Sequence, residues 1–194
     1  MKLRLFAAIN LPEDLKRKIA AKVDYLKGLL NFSIRFPDSE NWHLTLTFLG
    51  YQDEQYLSSI LAALKDTALK FSPPKIEVID LDYGPSSTDF KTVQPRMIWL
   101  NCSEETSRRL AQIKSELENQ LVGLGVHFKR ESRLFKAHLT LGRFESVPRS
   151  RLPLISEKFI YEFYPSKLDL MESHLKRAGA QYELLSGFAF HNEL

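Results

Sequence analysis

His43-Leu44-Thr45-Leu46 returns unchanged as His138-Leu139-Thr140-Leu141, 95 residues further along the chain. Each copy sits in a run that reads as a strand, Trp42 to Leu49 in the first case and Ala137 to Phe144 in the second. Successive side chains of a strand point to opposite faces, so His43 and Thr45 share one face while Leu44 and Leu46 share the other. The same holds for His138 and Thr140 against Leu139 and Leu141. Each copy therefore offers an imidazole and a hydroxyl side by side, ~6.6 Å apart along the strand, with leucines anchoring it from behind. Two such strands point to acid–base chemistry on a phosphate.

The surroundings of the two copies match. Leu3 to Ile9 is short and apolar and reads as a buried strand. Pro12 suits the first turn of a helix, with Glu13 and Asp14 at the positive end of its dipole. Leu15, Ile19, Val23, Leu26 and Leu30 then mark an amphipathic face. Residues 31–41 form a loop that delivers the chain to the first His strand. Before the second copy, Arg96 to Asn101 reads as a strand, Ser103 as a helix cap, and Leu110, Ile113, Leu117 and Leu121 as the inner face of a helix closed by Gly123 and Gly125. Strand, helix, His strand thus occurs twice. Between the units, Asp53 opens a further helix ended by Pro73-Pro74, and Lys75 to Tyr83 reads as a bulged strand. Gly84 to Asp89 is the clearest break in the chain, and residues 159–184 alternate as two or three antiparallel strands. The expected fold is α+β: one domain over residues 1–194 made of two pseudo-symmetric lobes. Each lobe is an antiparallel or mixed sheet backed by helices, with a central cleft between the His strands.

Composition narrows the function. The chain of 194 residues is 44% hydrophobic and 26% charged, as in an ordinary globular protein. A net charge of +3 excludes a strongly basic nucleic-acid binder, but the charge is uneven. From His127 to Arg151, seven Lys and Arg face only Glu131 and Glu145, a local net of +5 around the second motif. That coincidence points to an anionic substrate. It also predicts that His138, in the more cationic surroundings, is the less easily protonated of the pair. A single cysteine, Cys102, excludes an intrachain disulfide and reads as buried filler. No secretory signal and no apolar run of membrane-spanning length are visible, so a cytoplasmic monomer is expected.

At neutral pH a histidine can act as acid or base. Opening a cyclic phosphodiester needs both: one group takes a proton from water and the other gives one to the departing sugar oxygen. Threonine hydroxyls can hold the non-bridging oxygens, and the paired motifs supply all four groups without a metal. His127, His174 and His191 lack the threonine spacing and make no zinc-ligand cluster, so surface or structural roles are expected for them. Tyr25, Phe36, Trp42, Tyr83 and Phe90 are candidates for stacking on a base, or for packing.

These stretches resemble the 2H phosphoesterases, and within them the bacterial and archaeal RNA 2′,3′-cyclic phosphodiesterases, first called 2′-5′ RNA ligases. The resemblance is carried by Arg4 to Ile9, by Asn41 to Gly50, by Arg96 to Leu100 and by Phe135 to Arg143. Ser173 and Tyr182 fall where the family's C-terminal strands often carry such residues, while Ala137 and Leu134 stand where members often have proline. The resemblance implies that His43 gives a proton to the leaving 3′ oxygen and His138 activates water, leaving a 2′-phosphate. It implies that Thr45 and Thr140 bind the phosphate, that no metal or organic cofactor takes part, and that the partner is an RNA end bearing a 2′,3′-cyclic phosphate, tRNA fragments being one candidate source. Arg130, Arg133 and Arg143 are candidates for phosphate or backbone contacts. Two other readings keep the motifs. One is a phosphodiesterase or reversible ligase acting on 2′,5′-linked oligonucleotides or small cyclic phosphates. The other is a non-catalytic RNA-binding module whose histidines only position phosphate.

Overall fold

A computed structural model describes residues 1–85, 94–176 and 179–191. Phe90 and most of the Gly84 to Asp89 break lie outside the described residues. In chain order the elements are β1 (Lys2–Asn10), α1 (Glu13–Leu29), β2 (Ile34–Arg35), β3 (His43–Asp53), α2 (Leu57–Leu69), β4 (Ile76–Gly84), β5 (Met97–Cys102), α3 (Glu104–Gly123), β6 (His138–Phe144), β7 (Glu157–Phe163), β8 (Lys167–Lys176) and β9 (Gly179–Ala189). They form two sheets, β3-β1-β8-β9 and β2-β6-β5-β4-β7. Every strand pair is antiparallel. The α+β duplication expected from the repeated motif is therefore present, with each His strand next to the strand that opens its unit.

The elements follow from local chemistry. In β1, Leu3, Leu5, Ala7 and Ile9 join the main core, whereas Phe6 and Ala8 point to the opposite face with Met171 and Tyr182. Pro12 is the cap residue just ahead of α1 rather than its first turn, and Leu15, Ile19, Val23 and Leu26 are buried beneath the helix. Ser103 caps α3 as expected: its Oγ accepts from Thr106 N–H at 3.1 Å. Asp53 does not open a helix. It is still paired with Lys2 in the sheet, and a 3-10 turn at Glu54–Tyr56 intervenes before α2 begins at Leu57. The C-terminal alternation does give three strands, but they are divided between the sheets: β7 pairs with β4, and β8 with β1 and β9.

α1 and α3 each meet the sheet opposite to the one holding their unit's His strand, whereas α2 lies along β8 and β9 of the four-stranded sheet, to which the preceding β3 belongs. α1 joins β1 to the first His strand, yet it lies along β7 of the five-stranded sheet. There Lys22 Nζ is 2.6 Å from Glu157, Tyr161 donates its hydroxyl proton to Asp14, and Lys18 Nζ sits 4.6 Å above the Tyr161 ring. α3 joins β5 to β6 but runs against β3 and α2, where Thr47 donates to the buried Glu118 at 3.2 Å. Only its start stays with β4, through Ser103 Oγ and Glu77. The duplicated units are thereby interlocked, and residues of both sheets join one hydrophobic core. No described helix is long and apolar enough to cross a membrane.

Candidate active site

A β-bulge shapes both motif strands in the same way. On β3, Thr45 pairs with Ala8, but Thr47 pairs with the adjacent Ala7, so Leu46 is an extra residue. On β6, Thr140 pairs with Trp99 and Gly142 with Ile98, leaving Leu141 extra. A bulge shifts every later side chain to the opposite face. Simple alternation would turn Phe48 and Arg143, each five residues past its histidine, toward the core. The bulge returns both to the face of the histidines, where Phe48 is 57% exposed and Arg143 is also exposed. One position thus carries an aromatic ring in one half and a guanidinium in the other.

Both imidazoles are held alike. His43 Nδ1–H donates to Asn41 O at 2.9 Å, and His138 Nδ1–H donates to Lys136 O at 2.8 Å. A carbonyl can only accept, so in the neutral ring Nε2 carries the free lone pair. In each half the residue opposite the histidine is an asparagine, Asn10 for His43 and Asn101 for His138. Each asparagine donates to an aspartate on the next strand, Asn10 to Asp169 at 2.8 Å and Asn101 to Asp80 at 2.7 Å.

The surroundings then diverge. His43 packs against Phe6, with centroids 4.8 Å apart, and meets the edge of Tyr182 at 4.9 Å. The four-stranded sheet curls enough for Asn41, ahead of one edge strand, to reach the other edge, where its Oδ1 accepts Tyr182 N–H at 3.0 Å. His43 Nε2 faces Thr45 Oγ1 at 3.0 Å. His138 instead stacks on Trp99 with centroids 3.9 Å apart, which leaves its Nε2 without a described protein partner. Burial in the aromatic cage pushes the His43 pKa down to about 4, against a smaller opposing effect of the Asn41 carbonyl. His138 is also lowered, first by burial, with the Lys136 carbonyl opposing and Arg143 adding to the drop. The large drop falls on His43, the reverse of the order expected from the cationic stretch. Loss of hydration around His43 exceeds the effect of the cationic stretch on His138, because of that stretch only Arg143 lines the cleft.

Both histidines and both motif threonines line a single cleft of about 320 Å³, the size of a small-ligand site. Of the candidate arginines, only Arg143 is there. Arg130 donates to Asn119 at 2.9 Å and lies 3.9 Å from Glu118, and Arg133 pairs with Glu131 beside it. Neither lines the cleft, because the loop bearing them turns toward α3 and solvent. Phe36 lines the cleft, whereas Trp42 and Tyr83 are core residues and Tyr25 sits under Lys22 on α1. Arg35, Lys176 and Phe48 complete the lining without having been expected. Arg35 lies in a two-residue edge strand and Lys176 at a hairpin, neither marked by a motif. Gly142 explains how Arg35 arrives: a Cβ there would fall 2.9 Å from Ile34 Cγ2, so only glycine lets β2 lie this close to β6. Cys102 is buried, which pushes its thiol up to about 12 and leaves it inert. Glu172, His174 and Glu183 could together hold an ion, but they lie outside the cleft lining.

The chain is similar to known proteins over nearly its whole length. The family described as LigT-like phosphoesterase matches residues 9–93 and 100–182. A protein of Methanocaldococcus jannaschii named RNA 2′,3′-cyclic phosphodiesterase is 30% identical over 188 residues, 94% of this chain and 98% of that one. One of the same name from Thermotoga maritima is 29% identical over 197 residues, 99% of this chain and 98% of its own. A crystal structure of a Thermus thermophilus protein, TT0787, superposes with a TM-score of 0.78 at 24% identity, covering 99% of this chain and 100% of that one, and so shares the fold. Matched across both motif strands and nearly end to end, the chain belongs to the LigT-like phosphoesterases, a family of enzymes.

Proposed function

We propose that this protein hydrolyses RNA 2′,3′-cyclic phosphodiester ends to 2′-phosphomonoesters, by general acid–base catalysis between His43 and His138 and without a metal. The carrying observation is that both histidines line one cleft, each with its ring fixed by the same Nδ1–H to carbonyl contact. The names of the relatives in Methanocaldococcus jannaschii and Thermotoga maritima support the substrate.

In this reading His138 Nε2 takes a proton from the attacking water as its oxygen bonds to phosphorus. The bond from phosphorus to the 3′ oxygen breaks, and His43 Nε2–H delivers the proton that the departing oxygen needs. Thr45 and Thr140 donate to the non-bridging oxygens, where charge builds in the transition state. His43 needs its proton for this role, yet burial lowers its pKa to about 4. The phosphate itself supplies the remedy: an anion beside the ring favours the imidazolium. His43 must therefore gain its proton in the complex; the acid role given to it rests on the family resemblance, since burial alone leaves the more open His138 the easier of the two rings to protonate. A cytoplasmic location fits this reading.

The test is incubation with an RNA ending in a 2′,3′-cyclic phosphate, in chelator, with the phosphate position of the product determined by phosphorus NMR. A 2′-phosphate is expected, with activity reduced by orders of magnitude in His43→Ala and His138→Ala. Full activity in either variant, or loss of activity on chelation, overturns the assignment.

A further inference from the structure

Arg35 on β2 and Arg143 on β6 are directly opposed cross-strand partners, and both line the cleft that holds the two histidines. Opposed residues on antiparallel strands share a face with Cβ atoms about 5 Å apart, and like charges so placed repel. A neighbouring carboxylate would relieve this, but among the described residues neither arginine has an Asp or Glu within ion-pair distance. Among the described residues Arg143 donates only to the Met97 sulfur, at 3.0 Å. Lys176, at the end of β8, lines the same cleft and is likewise without a carboxylate partner among the described residues. Among the described residues Asp38 is the one acidic side chain in the lining.

The arrangement spans both halves of the molecule. Arg35 leans across to the β8–β9 hairpin, where its guanidinium would be 3.8 Å from a Cβ at Gly179. Gly179 has a φ of +137°, and it is the strand partner of Lys176. On the other side, the bulge in β6 turns Arg143 to the face of His138 and Thr140. Five residues of strand separate Arg143 from His138, roughly 16 Å between Cα atoms. One ribose bridges that span once the reach of the two side chains is taken off.

We propose that Arg35, Arg143 and Lys176 form a second phosphate subsite, which takes the phosphate on the 5′ side of the terminal ribose while the reacting phosphate lies between His43 and His138. The identity of the reacting phosphate rests on the function proposed above. An anion between two guanidinium groups turns a repulsive cross-strand pair into a clamp, since each fork can give two parallel hydrogen bonds to phosphate oxygens. The enzyme would then select a terminal nucleotide that carries a second phosphate over a bare nucleoside cyclic phosphate. That phosphate is either the next phosphodiester of an RNA chain or a 5′-terminal monoester.

Binding of product analogues tests this independently of turnover. The probes are adenosine 2′-phosphate, adenosine 2′,5′-bisphosphate and the dinucleotide ApA bearing a 2′-phosphate, titrated calorimetrically at two salt concentrations. At low salt, one or both two-phosphate probes should bind at least about tenfold tighter than adenosine 2′-phosphate, the worth of one charge-assisted contact. The tighter of the two identifies the source of the second phosphate. Arg35→Ala and Lys176→Ala should each shrink that advantage, the double variant should abolish it, and Arg35→Lys should keep part of it. Arg133→Ala, outside the cleft, should leave the ratio as it is. Equal binding of all three probes by the wild type overturns the subsite, as does an equal loss in Arg133→Ala. Failure to open cyclic phosphates would instead overturn the function, which the binding ratios do not touch.

Discussion

Thr45 Oγ1 lies 3.0 Å from His43 Nε2, so the two motif groups of one strand satisfy each other. With Nδ1–H committed to Asn41 O, the neutral ring accepts the Thr45 hydroxyl proton at Nε2. Phosphate binding asks for the opposite polarity: Thr45 must turn its proton to an oxygen of the ester, and Nε2 must carry one. Thr45→Val keeps the shape of the side chain and removes the hydroxyl. It should lower kcat by about 10²–10³, the usual effect of losing one transition-state donor, with a smaller change in KM. Thr45→Ser should recover most of the rate. Equal rates for Thr45→Val and wild type would show that the hydroxyl only rests on the ring.

Because His43 is held near a pKa of about 4 in the free protein, the protonated acid is scarce at neutral pH until substrate arrives. The pH dependence of kcat/KM reports the free enzyme and that of kcat the bound one. The alkaline limb of kcat should therefore lie at higher pH than that of kcat/KM. Tyr182→Ala opens the cage around His43 and should raise the pKa of the free ring toward 6.5, followed by NMR titration of its imidazole protons. Coincident limbs, or an unchanged ring pKa in Tyr182→Ala, would place the control of protonation elsewhere.

The same burial makes the fold sensitive to acid. Between pH 6.5 and about 4 the unfolded chain carries a proton on His43 that the folded chain does not. Stability thus rises with pH across that window and is lost as the pH falls through it. The contribution is on the order of 3 kcal/mol at most, at 1.36 kcal/mol per unit of pKa. Denaturant unfolding of wild type and His43→Gln between pH 4 and 7 should give a shallower pH slope for the variant.

How much of this is legible in the sequence depends on which physical rule a residue obeys. The strand pair bearing His43, Thr45, His138 and Thr140 follows from period-two alternation and from the repeat itself. The bulges do not, since Leu46 and Leu141 look like ordinary inward positions, and only the register shows that Phe48 and Arg143 change face. Amphipathic spacing says which face of α1 is buried but not against which sheet, so the exchange of helices between halves is invisible beforehand. Local charge also misled: Arg130 and Arg133 sit near the second motif in sequence yet pair with Asn119 and Glu131 outside the cleft. Arg35, 103 residues ahead of His138, reaches the site through strand pairing alone.

The exchange of helices predicts that the two halves do not unfold separately. α1 covers β7 and α3 covers β3, so removing either helix exposes the sheet of the other half. Thermal melts followed by far-UV and near-UV circular dichroism should coincide in one transition, with Trp99 and Trp42 reporting both halves. Two separable transitions would mean that each sheet keeps a core of its own.

Gly142 ties stability to the cleft. A Cβ at this position would sit 2.9 Å from Ile34 Cγ2 and 3.2 Å from Phe36 Cε1, both on the segment that carries Arg35. Gly142→Ala must push β2 outward, because Ile34 and Phe36 are packed against the core and cannot simply rotate away. Overpacking of this kind costs about 1–3 kcal/mol, which a shift of the denaturation midpoint would show. The displacement also moves Arg35 off its partner Arg143 while leaving the Nδ1 contacts of both histidines in place. The variant should therefore show a raised KM with a smaller change in kcat, the pattern of lost substrate binding rather than lost chemistry. A variant as stable as wild type, or one in which kcat falls while KM holds, would show that β2 does not depend on the missing side chain.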